Sequence, residues 1–167
     1  VNLSTGEIAR QEIADDFYRT YMGGGAMGAY FLLSETSGAL DPFDPGNILT
    51  LAPSVTTGMA VSGVSRCSAV AISPLTGAVG EGQAGGNIGP MIKRAGYDAL
   101  VITGQTDRLS YLLVDGDVVE IRDAAHLAGQ NVSDVYETLA QALAAPDKAL
   151  SIIHAVPQAR KRCALPV

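Results

Sequence analysis

The feature that most constrains this sequence is a concentration of glycine between apolar segments, within residues 66–104. An apolar run, residues 67–72, leads into the stretch Gly80-Glu81-Gly82-Gln83-Ala84-Gly85-Gly86. Glycine carries no Cβ, so the backbone amides around it can face a ligand that a side chain would hold away. The pattern therefore predicts a tight turn whose backbone approaches a ligand closely, and a phosphate-bearing cofactor suits such amides.

The composition indicates one soluble domain. Its 167 residues, 47% of them apolar, are enough to bury a core. A net charge of -6 argues against binding to nucleic acid, whose phosphates need a basic protein surface. No apolar run approaches the roughly 20 residues that span a bilayer, and residues 1–4 lack the features of a signal peptide. We expect a cytoplasmic protein that binds neither nucleic acid nor membranes.

The two cysteines predict no metal site. Cys67 and Cys163 are far apart and have no neighbouring Cys or His at the spacing of metal ligands. Neither a zinc site nor an iron–sulfur cluster can be assembled from such a pair. Cys67 falls within an apolar run and is predicted to be a buried residue rather than a reactive thiolate.

The N-terminal part predicts a hairpin and two helices. Residues 4–7 form a turn signal between apolar runs at 1–3 and 8–13, which is typical of a hairpin. Acidic residues at 15–16 suit the positive end of a helix that continues through Tyr21. Three glycines would end that helix, and a second helix is predicted over residues 26–35.

The remainder alternates strands and helices. Asp115-Gly116-Asp117 joins two apolar runs and is a strong hairpin signal, because glycine accepts a positive φ. Apolar residues at helical spacing over residues 132–143 predict a helix with Asn131 or Ser133 as its N-cap. The predicted strands cover residues 48–52, 67–72, 99–103, 111–114, 118–122 and 150–153, and a short helix covers residues 88–95.

A dinucleotide-binding loop is an alternative interpretation of the glycines. Gly80, Gly82 and Gly85 satisfy the Gly-x-Gly-x-x-Gly fingerprint. Asp107 follows at about the distance of 20 residues expected for a ribose contact. However, the fingerprint should open directly from a strand into a helix, and Pro74 interrupts the preceding strand. The pattern alone is therefore weak evidence for a nicotinamide or flavin dinucleotide.

Several motifs, in their order along the chain, resemble a known enzyme family. They are Val1-Asn2-Leu3-Ser4-Thr5-Gly6, Ser73-Pro74-Leu75-Thr76-Gly77, Ala84-Gly85-Gly86, residues 93–102 and residues 121–127. Together they resemble the N-terminal domain of the aldehyde ferredoxin oxidoreductase family. The resemblance covers residues 1–155 and leaves residues 156–167 as a divergent tail.

The resemblance implies an α+β fold, a β-rich and internally duplicated platform with a few short helices. In the family this platform lies under a tungsten ion, rarely molybdenum, held by two pterins whose phosphates share a magnesium ion. Helical domains further along the family's chains carry a [4Fe-4S] cluster that passes electrons to ferredoxin. The implied activity is the oxidation of aldehydes to carboxylic acids.

The resemblance assigns cofactor contacts to five residues. Arg66 stands where the family has a pterin-contacting arginine, and a guanidinium offers fixed donors to a phosphate. Gln83, Ala84, Gly85 and Gly86 occupy the loop that approaches the pterin phosphate and its magnesium. The family usually has asparagine at the glutamine position, and two alternatives stay open. A contact through the backbone carbonyl would tolerate glutamine, whereas a contact through the side chain would be weakened.

Other conspicuous residues have structural interpretations, and no catalytic residue is assigned. Residues 23–28 replace a family stretch that often contains an arginine, so a helix stop is preferred there to a cofactor contact. Lys93 and Arg94 suit the last turn of a helix, where the dipole favours cations. His126 has no carboxylate or second histidine at catalytic spacing, so a packed or capping histidine is predicted.

The family's second cofactor loop and its cluster cysteines have no counterpart in these 167 residues. Binding the cofactor with half its donors would forfeit several charge-assisted hydrogen bonds, each worth about 1.5 to 3 kcal/mol. We therefore expect a truncated or split oxidoreductase fragment that is inactive alone. Such a fragment would self-associate or pair with a chain that carries the missing helical domains. The alternative is a non-catalytic binding or scaffold module that has kept the fold.

Overall fold

The computed structural model describes residues 1–36, 40–145 and 150–154. Its elements in chain order are α1 (Asp15–Tyr21), α2 (Gly24–Glu35), β1 (Leu49–Pro53), β2 (Cys67–Ile72), β3 (Val79–Ala84), α3 (Ile88–Arg94), β4 (Leu100–Ile102), β5 (Ser110–Asp115), β6 (Val118–Asp123) and α4 (Val132–Ala142). A 3-10 turn, Ala125–Leu127, precedes α4.

The larger of the two sheets is antiparallel and has the strand order β3-β2-β1-β4. Helix α2 packs on one face, where Met27 and Phe31 form a cluster with Ala52 of β1. Helix α3 packs on the other face, where Ile92 clusters with Cys67 of β2. Cover on both faces explains why β1 and β2 read as short continuous apolar runs. The predicted α+β fold class is confirmed.

The second sheet is the β5–β6 hairpin, and α4 packs against it. The predicted turn at residues 115–117 is confirmed, with Gly116 at a φ of 54°. Asn131 is the N-cap of α4, because its side chain accepts a hydrogen bond of 3.0 Å from the backbone N–H of Asp134. The apolar cluster between hairpin and helix contains Ala124, Leu127, Val135 and Leu139, with Tyr111, Leu150 and Ile152 packed against it.

The predicted N-terminal hairpin is wrong. The turn is present, since the N–H of Gly6 donates to the carbonyl of Asn2 at 2.9 Å, but residues 8–13 form no strand. Instead, the N–H of Leu3 donates to the carbonyl of Thr103 at 2.7 Å. The first residues therefore extend the edge of the sheet at β4. Across the turn the N–H of Asn2 also donates to the carbonyl of Glu7 at 2.8 Å, but no second strand follows it.

The predicted strand over residues 150–153 is also wrong. These residues have no strand pairing in the described part of the chain. Leu150 and Ile152 pack against the α4 cluster instead. The apolar run predicted a strand, but these two side chains are partly buried without a ladder of backbone hydrogen bonds.

The glycines at 23–25 do more than end α1. That helix ends at Tyr21, and Met22 takes the left-handed conformation at its C-cap. Gly23 forms a bridge with Ser54, and a Cβ there would lie 2.4 Å from the carbonyl oxygen of Pro53. Gly24 and Gly25 already belong to α2, so the second helix begins before the predicted residue 26.

The described helices are short. The longest helix among the described residues is α2, with 12 residues. Among the described residues, no helix combines the length and the apolar composition that crossing a membrane requires.

Helix α2 lies unusually close to the sheet at Gly28, and Gly28→Ala tests this contact. A Cβ there would lie 2.5 Å from Cγ2 of Val70, so the helix would have to move outward. We expect the free energy of unfolding to fall by about 1–3 kcal/mol, the usual cost of overpacking, as measured by urea denaturation. The matched control is Gly28→Ala combined with Val70→Ala, which removes the opposing methyl groups. Additive costs in this double-mutant cycle would contradict the contact.

Candidate functional site

The ends of β2 and β3 bring the predicted site residues together. The two strands are antiparallel, and the last residues that pair at this end are Cys67 and Ala84. Arg66 comes directly before the first of these and Gly85 directly after the second. The arginine and residues 83–86 therefore lie at the same end of the sheet, as neighbours across one strand pair.

The predicted turn over residues 80–86 is mostly strand, which corrects the interpretation from the sequence. Residues 79–84 pair with β2 in continuous register, from Ile72↔Val79 to Cys67↔Ala84. The chain bends only at residues 85–87 before α3 begins. Glycine is depleted in strands, so local propensity favoured a turn, but pairing with the apolar β2 strand prevails.

The backbone of the bend is open to solvent. A Cβ on Gly85 would meet nothing nearer than the hydroxyl of Ser65, at 3.9 Å, and a Cβ on Gly86 would meet nothing within 4 Å. Within the described part of the chain, neither glycine amide donates a hydrogen bond to another residue. Gly86 has a φ of 85°, a conformation that glycine adopts without strain. Two backbone donors are thus available to an external anion.

Arg66 is also available. The residue is exposed, and among the described residues its guanidinium forms no ion pair or side-chain hydrogen bond. A free guanidinium beside two free amides can bind one phosphate through charge-assisted hydrogen bonds. Binding of a phosphate group is therefore the chemistry that this arrangement of donors supports.

The side chain of Gln83 is already engaged within the protein. Its Nε2 donates to Oε1 of Glu81 at 2.9 Å, and the same oxygen accepts a hydrogen bond of 2.8 Å from the hydroxyl of Ser68. The pKa of Glu81 is lowered, chiefly by the hydrogen bond from Gln83 and to a smaller extent by the one from Ser68. The carboxylate lies against Gly25, where a Cβ would be 2.5 Å from it. The amide of Gln83 therefore faces α2.

The other predicted assignments divide into confirmed and wrong ones. Cys67 is buried, with 4% of its surface exposed, and burial raises the pKa of its thiol. Lys93 and Arg94 lie in the last turn of α3, and Lys93 forms an ion pair with Asp98. For His126 the prediction is a packed or a capping histidine. The packed alternative is wrong, because His126 is exposed, and it lies in the last turn of the 3-10 helix.

The structure does not support a dinucleotide fingerprint. Gly80 and Gly82 lie inside β3 rather than in a turn between a strand and a helix. The sheet is antiparallel, whereas the fingerprint belongs to a parallel βαβ unit. Gly23, Gly25 and Gly28, which repeat the pattern, lie at and within α2 after a preceding helix.

Sequence reasoning missed two residues that shape this region. Thr57 is buried and hydrogen-bonds to the backbone of Arg66, and Glu81 holds the side chain of Gln83. Thr57 lies in a loop without periodicity, so no pattern distinguished it from Thr56. Strand pairing in β3 could have revealed Glu81, because residues 81 and 83 of a strand share one face.

The described residues offer no protein-only metal site. Across residues 1–36, 40–145 and 150–154, no group of three or more His, Cys, Asp and Glu side chains is placed to hold a metal ion.

Known proteins resemble this chain in sequence and in fold. The sequence profile of the aldehyde ferredoxin oxidoreductase N-terminal domain matches residues 1–165. The tungsten-containing aldehyde ferredoxin oxidoreductase of Pyrococcus furiosus is 36% identical over 139 residues, which cover 83% of this chain and 23% of that protein. The enzyme of the same description from Thermococcus kodakarensis is 38% identical over 134 residues, covering 80% of this chain and 22% of that protein.

A solved structure also matches this chain in fold. The active-site complex BamBC of benzoyl coenzyme A reductase, with bound 1,5-dienoyl-CoA, contains a chain that superposes with a TM-score of 0.84 at 32% identity. The match covers 88% of this chain and 22% of the other. The chain thus spans less than a quarter of the length of the relatives it matches. It belongs to the aldehyde ferredoxin oxidoreductase N-terminal domain family.

Proposed function

We propose that this chain supplies one face of a pterin-binding site in a tungsten or molybdenum oxidoreductase. The observation that carries the proposal is the pairing of Cys67 with Ala84, which sets Arg66 beside the free amides of Gly85 and Gly86. The proposed reaction of the whole protein is the oxidation of aldehydes to carboxylic acids with ferredoxin as electron acceptor. Two relatives named as tungsten-containing aldehyde ferredoxin oxidoreductases support it.

The residues present fit the phosphate end of such a cofactor. Arg66 would donate to phosphate oxygens or to a pterin carbonyl, because its guanidinium stays charged and has fixed donors. The amides of Gly85 and Gly86 would complete the contact, since no Cβ holds a ligand away from them. When bound, the cofactor supplies the redox chemistry. The chain's own residues bind and orient it.

Position 83 would serve the site through its backbone. The structure engages the amide of Gln83 with Glu81 on the α2 side of β3, away from Ala84, which shares the opposite face with Cys67. A carbonyl oxygen is a suitable ligand for the magnesium ion that the family uses. Of the two alternatives that the sequence left open, we therefore favour the backbone contact, for which glutamine is equivalent to asparagine.

Substrate recognition and electron transfer would depend on other parts of the assembled protein. Relatives of this fold are described as acting on an aldehyde in one case and as a benzoyl coenzyme A reductase in another. The matched region is thus compatible with more than one substrate. A second pterin loop, a [4Fe-4S] cluster and the ferredoxin contact are proposed for further domains or a partner chain. The division at residue 155 stays a prediction.

An apolar surface on α2 supports such covering partners or self-association. Tyr30 and Leu33 of α2 are 36% and 69% exposed. A groove of about 430 Å³ lies beside them, lined by Tyr21, Ala26, Ala29, Tyr30, Leu33 and Ser34. Apolar patches of this kind commonly mark interfaces.

Arg66→Ala tests the charged half of the site. Loss of a charge-assisted hydrogen bond worth about 1.5–3 kcal/mol should weaken binding of a pterin monophosphate by at least ten-fold. NMR titration of the purified chain would measure this affinity. Arg94→Ala is the matched control, because Arg94 is equally an exposed arginine but lies at the far end of α3. Equal effects of the two variants would contradict the assignment.

Gly85→Ala tests the backbone half. The nearest atom to the added methyl would be 3.9 Å away, so the free protein should fold with unchanged stability. The methyl would nevertheless stand where the phosphate approaches the amide, and binding of the pterin monophosphate should fall. Gly82→Ala is the control, since its Cβ also meets nothing within 4 Å. Unchanged affinity in Gly85→Ala would argue against a ligand at the bend.

Elemental analysis tests whether these residues need further domains or a partner chain to retain the cofactor. We expect these 167 residues, purified by themselves from cells that make the cofactor, to retain less than stoichiometric tungsten or molybdenum and to oxidise no aldehyde. The reason is that one face alone supplies only part of the donors, each worth about 1.5–3 kcal/mol. Stoichiometric metal in this preparation would overturn the claim. If a pterin phosphate never binds, the non-catalytic scaffold becomes the better interpretation.

A further inference from the structure

Thr57 is a buried polar residue in the loop between β1 and β2. Only 5% of its surface is exposed. Buried polar groups normally have hydrogen-bond partners, and this one has two. Its hydroxyl accepts a hydrogen bond of 2.9 Å from the backbone N–H of Ser54 and donates one of 2.9 Å to the backbone carbonyl of Arg66. A single oxygen atom therefore joins the two ends of the loop.

The methyl group of Thr57 contacts a second element. A Cβ on Gly89, in the first turn of α3, would lie 2.9 Å from Cγ2 of Thr57. The same position would lie 3.1 Å from the carbonyl oxygens of Ser65 and Arg66. Gly89 is buried, so the helix start rests directly on Thr57 and on the backbone before β2.

These contacts connect the two halves of the candidate site. Arg66 is held through its carbonyl, and residues 85–87 are held between the end of β3 and the helix start at Gly89. Strand pairing fixes one side of the bend. Thr57 fixes the other side relative to the arginine.

We infer that Thr57 is a positioning residue for the cofactor face. Its hydroxyl sets the backbone at Arg66, and its methyl sets the first turn of α3, so that the guanidinium and the amides of the bend address one phosphate together. The inference rests on the proposed function. It adds a residue that acts through Arg66 and the bend and does not touch the ligand.

Three variants separate the hydroxyl, the methyl and general loop effects. Thr57→Val keeps the shape but removes both hydrogen bonds. Thr57→Ser keeps the hydrogen bonds but loses the methyl. Thr56→Val is the matched control, because Thr56 is exposed and, within the described part of the chain, its hydroxyl hydrogen-bonds only to the hydroxyl of Ser54.

Two measurements on the purified chain test the inference. Hydrogen exchange in the free protein should speed up in Thr57→Val at the amide of Ser54, which donates to Thr57, and at the amide of Met91, which donates to the carbonyl of Asn87 at the end of the bend. It should stay unchanged at both amides in Thr56→Val. Affinity for a pterin monophosphate should fall about ten-fold in Thr57→Val, the size expected when a displaced Arg66 or bend loses one hydrogen bond to the ligand. It should recover to within about three-fold in Thr57→Ser. Circular dichroism at the titration temperature would verify that each variant is folded.

The outcomes distinguish the inference from the function on which it rests. Unchanged exchange at the amide of Met91 in folded Thr57→Val would overturn the positioning role, whatever the ligand does. Faster exchange together with unchanged affinity would overturn it as well. Absence of pterin binding by the wild-type chain would overturn the proposed function instead. Rescue by serine of both exchange and affinity would support the inference, because a purely packing role would follow the methyl.

Discussion

The antiparallel register of β2 and β3 is the constraint on which the site depends. Because Cys67 faces Ala84, Arg66 and Gly85 must emerge side by side. A shift of one residue would send every side chain of β3 to the opposite face. Burial between two helices fixes the faces of β2, since Val70 packs towards α2 and Cys67 towards α3. The hydrogen bond of 2.8 Å from the hydroxyl of Ser68 to Glu81 then holds β3 against β2 in this register. The core of the domain therefore sets the geometry of an exposed site.

Glycines make this arrangement possible at two packing contacts and one open one. Gly28 lets α2 approach Val70, and Gly89 lets α3 approach the backbone at Arg66. Both would be blocked by a methyl group. Gly85 differs, because the space above it is free. Glycines that look alike in the sequence therefore have two different physical roles, close packing and an open backbone. The three-dimensional structure is needed to tell these roles apart.

Local patterns predicted most elements, whereas long-range pairing decided the rest. The apolar run at 67–72, the Asp-Gly-Asp turn and the periodic residues of α4 carry their own structural information, and each was found. Residues 1–3 pair with the chain at β4, about a hundred residues away, and no local sequence pattern predicts this pairing. The site residues came from a resemblance in motifs, and Thr57 escaped because its role is a contact to the backbone of a residue nine positions away.

The two faces of β3 have different roles. Side chains at 81 and 83 turn towards α2, where Glu81 binds Ser68 and Gln83 beside the start of the helix. The alternate positions carry only glycine or alanine and leave the opposite face bare near the bend. In a chain with a net charge of -6, the carboxylate is held on the far side of the strand from that bare face. An anionic ligand would therefore meet Arg66 and free amides first, with the acidic group turned away from its approach.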